Sequence, residues 1–244
     1  MKPRHLRVAA AILAAGAAAA TALGLRALRV NTSPSLPRGL YRLEHSAGTL
    51  HPGVLVLACP PPAVARLARA RGYLPAGRCP GGVQPLGKLV LAAAGDLVDL
   101  APGGLRLNGE PLPATASRVL DSRSRRLPRY PSGRYRVAAG ELWLIAPHPR
   151  SLDSRTFGPV AEAQVLGVLT PLATLTGADP APLAARLRLA TRHGTAVAAP
   201  SVPPSRTPAA GARRSLPRDL RSGPLLPPLA CPVPPLFFAY HRPF

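Results

Sequence analysis

The sequence predicts a mostly β domain with short helices, preceded by one N-terminal transmembrane helix and followed by a disordered tail. Three observations lead there. An uncharged run, Val8 to Leu25, follows the basic start MKPRHLR. Short apolar segments separated by Gly, Pro and Asn turns fill the middle of the chain. From about Gly177 the hydrophobic periodicity fades into Pro, Ala and Arg. The expected parts are a basic cytoplasmic start at 1–7, an anchor at 8–25, a folded domain at 26–176 and a Pro/Ala/Arg-rich tail at 177–244.

The run from Val8 to Leu25 is near the lower length limit for a bilayer span, and its alanine content makes it only mildly apolar. A retained anchor and a cleaved signal peptide both fit, since Ala-x-Ala triplets abound. Either way the domain beyond it is exported. LPRGLYRLE then reads as a turn with an alternating strand, and Val54 to Ala58 as a short apolar strand stopped by prolines. Residues 63–74 have helical spacing, with Val64, Leu67 and Ala70 on one side, arginines on the other and Gly72 as the stop. LGKLVLAAAGDLVDL reads as strand, turn at Gly95-Asp96, strand. LRLNGEPL carries the Asn108-Gly109 hairpin signal. Residues 115–135 are a polar, Arg-rich loop. GELWLIAP and the stretch from Val165 are further strands, and a short helix is possible at 181–192.

Charge and cysteines bound the function. The net charge of +21 suggests a polyanion partner. Arginine usage of this kind also follows from GC-rich coding, and zinc-knuckle spacing and aromatic-basic interleaving are both missing, so nucleic acid is not the expected partner. No cysteine or histidine spacing suggests a metal, and no cofactor fingerprint occurs. Cys59 and Cys79 bracket one short segment, either as a disulfide in an oxidising compartment or as two buried thiols. Cys231 has no evident partner.

Of 31 basic residues, only Lys2 and Lys88 are lysines. A solvated surface does not distinguish the two cations, but a general base does: arginine keeps its proton near neutral pH, and a desolvated lysine can lose it. Lys88 lies in an apolar strand, where burial lowers its pKa. A chance lysine snorkelling from a strand edge is the plain alternative. No GxSxG elbow or HExxH occurs, and the six histidines are scattered. The serines nearest the span are Ser33 and Ser35, stiffened by Pro34 and Pro37. In PRSLDSRTFGP, Asp153 and Arg155 suggest an ion pair that fixes a turn.

Together these segments resemble the type I signal peptidase family, most closely its conjugative-transfer, TraF-type branch. The resemblance covers roughly residues 8–172: the span, SxSxPxGLY, CPPP…RGYLPAGRCP, a Lys followed by AAAGD, LNG and SLDSRxFGP. Leu36, Leu89 and Thr156 depart from it, standing where Met, Arg and an aromatic residue are common. The resemblance implies a signal-peptidase-like β scaffold and a Ser-Lys endopeptidase. In that pattern Ser35 is the nucleophile, with Ser33 as its rival or as an oxyanion hydroxyl. Lys88 is the general base, and Ser151 positions its amine. Asp153 is the acid the branch requires, and Arg155 its ion-pair partner.

The expected substrate is a leader-bearing protein, such as a pilin precursor of a conjugation system, cut by hydrolysis or with cyclisation. The expected place is the bacterial inner membrane, single-pass, with the N-terminal helix in lipid and the catalytic domain on the periplasmic side. Two other readings remain open: a general type I signal peptidase for Sec substrates, and a catalytically inactive, arginine-rich membrane adaptor.

Overall fold

The computed structural model describes Leu13, residues 24–25, 27–45, 49–116, 118–175, 177–196 and 236–238. Apart from Leu13, Gly24 and Leu25, the expected anchor lies outside the described residues. Among those that are described, no helix is long and apolar enough to cross a membrane.

The chain forms strands β1 (Leu28–Asn31), β2 (Gly39–Glu44) and β3 (Leu55–Ala58), then helix α1 (Pro62–Ala70) and β4 (Ala76–Cys79). There follow β5 (Leu86–Ala92), β6 (Leu97–Ala101), β7 (Gly104–Leu107), β8 (Glu110–Leu112), β9 (Gly133–Arg136) and β10 (Glu141–Ile145). A single turn of helix, α2 (Ser154–Phe157), precedes β11 (Val160–Ala161) and the long β12 (Val165–Thr174). Helix α3 (Ala181–Ala196) and β13 (Leu236–Phe238) come last.

Two sheets result. The larger has the order β11-β10-β5-β3-β12-β2-β1-β13, and the smaller β8-β7-β6-β9. β5 lies inside the larger sheet, flanked by β3 and β10, and all seven of its residues are buried. That explains its unbroken apolar sequence: a strand covered on both faces does not alternate. β6 and β7 are covered on one face and do alternate, with Val98, Leu100, Leu105 and Leu107 inward. These residues share one core with Leu57, Leu89 and Leu91 of the larger sheet. Asn108 and Gly109 both have positive φ, as a two-residue hairpin needs, and join β7 to β8 at the expected place.

Strand β5, the turn at Gly95-Asp96 and strand β6 follow one another as expected, and the turn carries the chain from one sheet to the other. Other elements differ from the sequence reading. In α1 the buried residues are Ala65 and Ala68, and Ala70 is exposed. The helix lies against a tight glycine turn, where a Cβ at Gly81 would press on Ala65, so small residues face inward. The domain also continues beyond 176. Helix α3 buries Ala184, Leu187 and Ala190 in the main core. Arginines interleaved at 186, 188 and 192 dilute that stripe in sequence. Leu236–Phe238, an apolar run in the proline-rich stretch, pairs in parallel with β1. The rest of the expected tail lies outside the described residues.

Candidate active site

Lys88 is in the third position of β5, opposite Val56 of β3, and is 1% exposed. Its Nζ donates to the Ser151 hydroxyl at 2.7 Å. Burial pulls its pKa down to about 8; the nearby Asp153 charge opposes that shift and Arg155 adds to it. At pH 7 about one such amine in ten is neutral, far more than for a surface lysine.

Ser151 belongs to the turn between β10 and α2. Asp153 caps α2, accepting from the Arg155 backbone N–H. Its carboxylate also takes the Arg155 guanidinium on both oxygens, Nε at 2.9 Å and Nη2 at 2.7 Å, and the Ala146 N–H. Both residues are buried, so the pair is matched in charge and hydrogen bonding where neither partner could stand alone. Arg155 reaches further, to the carbonyls of His148 and Thr115, and so ties the turn to the segment after β8. Gly158, at φ 77°, ends α2 where the Tyr130 ring leaves no room for a Cβ.

Ser33 and Ser35 occupy the loop between β1 and β2, and both are buried. Asn31 organises this loop. Its Nδ2 donates to the carbonyls of Ser33, Leu36 and Pro37 at 3.0–3.2 Å. Its Oδ1 accepts the Ser33 N–H and the Ser33 hydroxyl, the latter at 2.8 Å. The Tyr41 hydroxyl donates to Pro37 O from the other side. Leu36 is anchored in the same core as Leu55 and Leu89. The Ser33 hydroxyl is therefore committed to Asn31. Among the described residues Ser35 makes no side-chain hydrogen bond, and Lys88 bonds neither loop serine.

Cys59 and Cys79 form a disulfide. Around it gather Ala65, Ala68, Tyr73, Leu74 and Val83, together with Leu86 and Leu152. Leu86 is two residues from Lys88, and Leu152 adjoins Ser151, so the bridged module buttresses both. The Tyr73 hydroxyl donates to Asp121, which also accepts two backbone N–H groups and the Arg125 side chain. The Arg-rich loop is thereby organised around one buried acid.

The structure thus brings together Lys88, Ser151, Asp153 and Arg155, with the Cys59–Cys79 module behind them. It places Ser33 and Ser35 on a separate, pinned loop. Asn31 was missed in the sequence, although an Asn two residues before a Ser is a turn signal. Ser154 was missed too: its hydroxyl accepts the Leu144 N–H at the irregularity where β10 shifts register on β5. Nothing local marks that role. His148 was set aside as scattered, yet it lies close enough for burial, then Arg150 and Lys88, to lower its pKa. Among the described residues no cluster of His, Cys, Asp or Glu could hold a metal ion.

Residues 4–172 match the family described as signal peptidase, peptidase S26. The chain is 43% identical over 169 residues to a plasmid transfer protein TraF of Escherichia coli, covering 68% of this chain and 90% of that one. It is 38% identical to a conjugal transfer protein TraF of Agrobacterium fabrum, covering 70% and 94%. A probable conjugal transfer protein TraF of Sinorhizobium fredii is 40% identical over 57% of this chain and 73% of its own. The chain therefore belongs to the S26 signal peptidase family, in its TraF-type branch.

Proposed function

We propose that this protein is a membrane-anchored serine endopeptidase with a Ser-Lys mechanism, which removes a leader peptide from an exported protein, a pilin precursor in conjugative transfer. The observation that carries the reading is the buried Lys88 amine, lowered to about 8 and held by Ser151. Neutral Lys88 takes the proton of the Ser35 hydroxyl as it attacks the scissile carbonyl. Ser35 is favoured over Ser33 because the Ser33 hydroxyl already serves Asn31. A backbone N–H of the loop stabilises the oxyanion, while Ser33, with its one O–H given to Asn31, helps to hold that loop in place. The Lys88 ammonium gives the proton taken from Ser35 to the leaving amine, and the again neutral Lys88 activates the water that resolves the acyl-enzyme and regenerates the Ser35 hydroxyl. Asp153 and Arg155 act by fixing the turn that presents Ser151. The anchor at 8–25 sets the domain on the periplasmic face of the inner membrane, where Cys59–Cys79 stays oxidised.

The test is co-expression of the full chain with the pilin precursor of its own conjugation system, read by mass spectrometry. Wild type yields mature pilin, as does Ser33→Ala at reduced rate. Ser35→Ala and Lys88→Arg leave the precursor intact, the second because a guanidinium cannot become neutral. Maturation by Lys88→Arg contradicts the Ser-Lys mechanism.

A further inference from the structure

A concave cleft opens beside the hydroxyl that holds Lys88. Ser151 forms part of its lining, and Arg118, Arg129, Arg150 and Arg155 converge there. Leu127 and Leu152 add apolar wall, and no acidic residue lines it among the described residues. Arg155 is committed to Asp153. The side chains of Arg118, Arg129 and Arg150 have no hydrogen-bond or ion-pair partner among the described residues. Arg69, Arg106 and Arg136 elsewhere on the surface each bond a backbone carbonyl, and Arg38, Arg66 and Arg186 are as open as the cleft's three, so what sets the three apart is that they line one concavity. One solvated arginine means little in so basic a chain. Three open guanidiniums around a concavity that shares Ser151 with the buried amine present planar donor forks, the geometry that carboxylates fill. Arg150 and Arg118, with Lys88, also lie close enough to His148 to add to the lowering of its pKa by burial.

We propose that this cleft is a carboxylate-binding subsite that selects peptides carrying an acidic group near the scissile bond. The acid is an Asp or Glu side chain, or the free C terminus of a short leaving segment. The inference rests on the peptidase reading and names its substrate class. A peptide fits better than a nucleic acid, because the cations surround one pocket with apolar walls rather than tracking a phosphate-spaced stripe. The bound carboxylate orients the chain relative to the Ser151–Lys88 pair, so it acts on selection and register rather than on proton transfer.

The test uses the full chain in detergent micelles at near-physiological salt, with four short Ala-x-Ala peptides carrying an uncharged BODIPY label on the N terminus. They carry Glu or Gln beyond the cut, each with a free or an amidated C terminus. Binding is read by fluorescence anisotropy and cleavage by mass spectrometry on the same samples. At least one singly acidic peptide should bind about tenfold more tightly than the neutral one; which one identifies the source of the carboxylate. The preference should collapse in the triple variant Arg118→Gln, Arg129→Gln, Arg150→Gln. It should survive in Arg69→Gln, Arg106→Gln, Arg136→Gln, which removes equal charge elsewhere. Equal binding of acidic and neutral peptides, no measurable binding, or equal loss in both triple variants overturns the subsite. The peptidase reading fails separately, on cleavage that persists in Ser35→Ala and Lys88→Arg whatever the anisotropy shows.

Discussion

At the scale of single residues, the site depends on buried polar groups whose partners are fully specified. Asn31 makes five hydrogen bonds to the Ser33–Pro37 segment. Asn31→Ala leaves three carbonyls and the Ser33 hydroxyl without those partners, and the serine loop loses its register. We expect a loss of roughly 1–3 kcal/mol in stability, and a fall of about 10- to 100-fold in the cleavage rate at saturating substrate. Urea titration and single-turnover kinetics check the two effects, and an unchanged rate removes Asn31 from any positioning role. Lys88 makes the opposite bargain between stability and chemistry. Folding lowers its pKa from 10.5 to about 8, so the unfolded chain holds this proton more tightly. The cost to stability is present in full below pH 8 and is relieved as the pH rises from 8 through 10.5. Lys88→Met should therefore abolish cleavage and raise stability at pH 7 by about 1–3 kcal/mol, with the gain shrinking toward pH 10.5. Chemical denaturation at both pH values reads it, and a destabilised, equally pH-independent variant contradicts the burial argument.

At the scale of elements, the disulfide module and the α2 turn act as supports for one strand. Cys59–Cys79 closes a sequence separation of 20 residues around α1. Its cluster includes Leu86 and Leu152, which flank Lys88 and Ser151 in sequence. Replacing both cysteines by serine should cost about 2–4 kcal/mol. It should also slow cleavage, because the buttress behind Leu86 and Leu152 loosens. Thermal melts and cleavage assays, with and without reductant, check this. A variant with lowered Tm and full activity at low temperature would show that the bridge serves stability alone. Much of this scale was legible beforehand. The strands at 55–58, 86–92 and 141–145 are apolar runs bounded by Gly and Pro, and Asn108-Gly109 admits one compact turn. What was not legible depends on contacts distant in sequence. The burial of Ala65 and Ala68 instead of Val64, Leu67 and Ala70 follows from the closeness of Gly81, and α3 docks through a stripe diluted by arginines. β1 was hidden because its residues LRVN mix charge with apolar side chains.

At the scale of the whole molecule, the fold converts one lysine among many arginines into a distinct chemical group. The singularity of Lys88 was readable from composition alone, and Asp153 and Arg155 from their spacing. The contact of Ser151 with Lys88 was expected only from the family resemblance; composition and spacing do not carry it, because it requires β10 and α2 to return the chain to β5 across more than 60 residues of sequence. The low pKa is thus a property of the assembled sheet and its surrounding charges. His148 is the rival base that the same assembly brings near. The pH dependence of acyl-enzyme formation, measured in single turnovers on the pilin precursor, separates the two. Lys88 as base predicts a rate that rises with pH to a plateau with an apparent pKa near 8, lost in Lys88→Arg and unchanged in His148→Asn. A rate governed below pH 7 that survives Lys88→Arg and disappears in His148→Asn would contradict it.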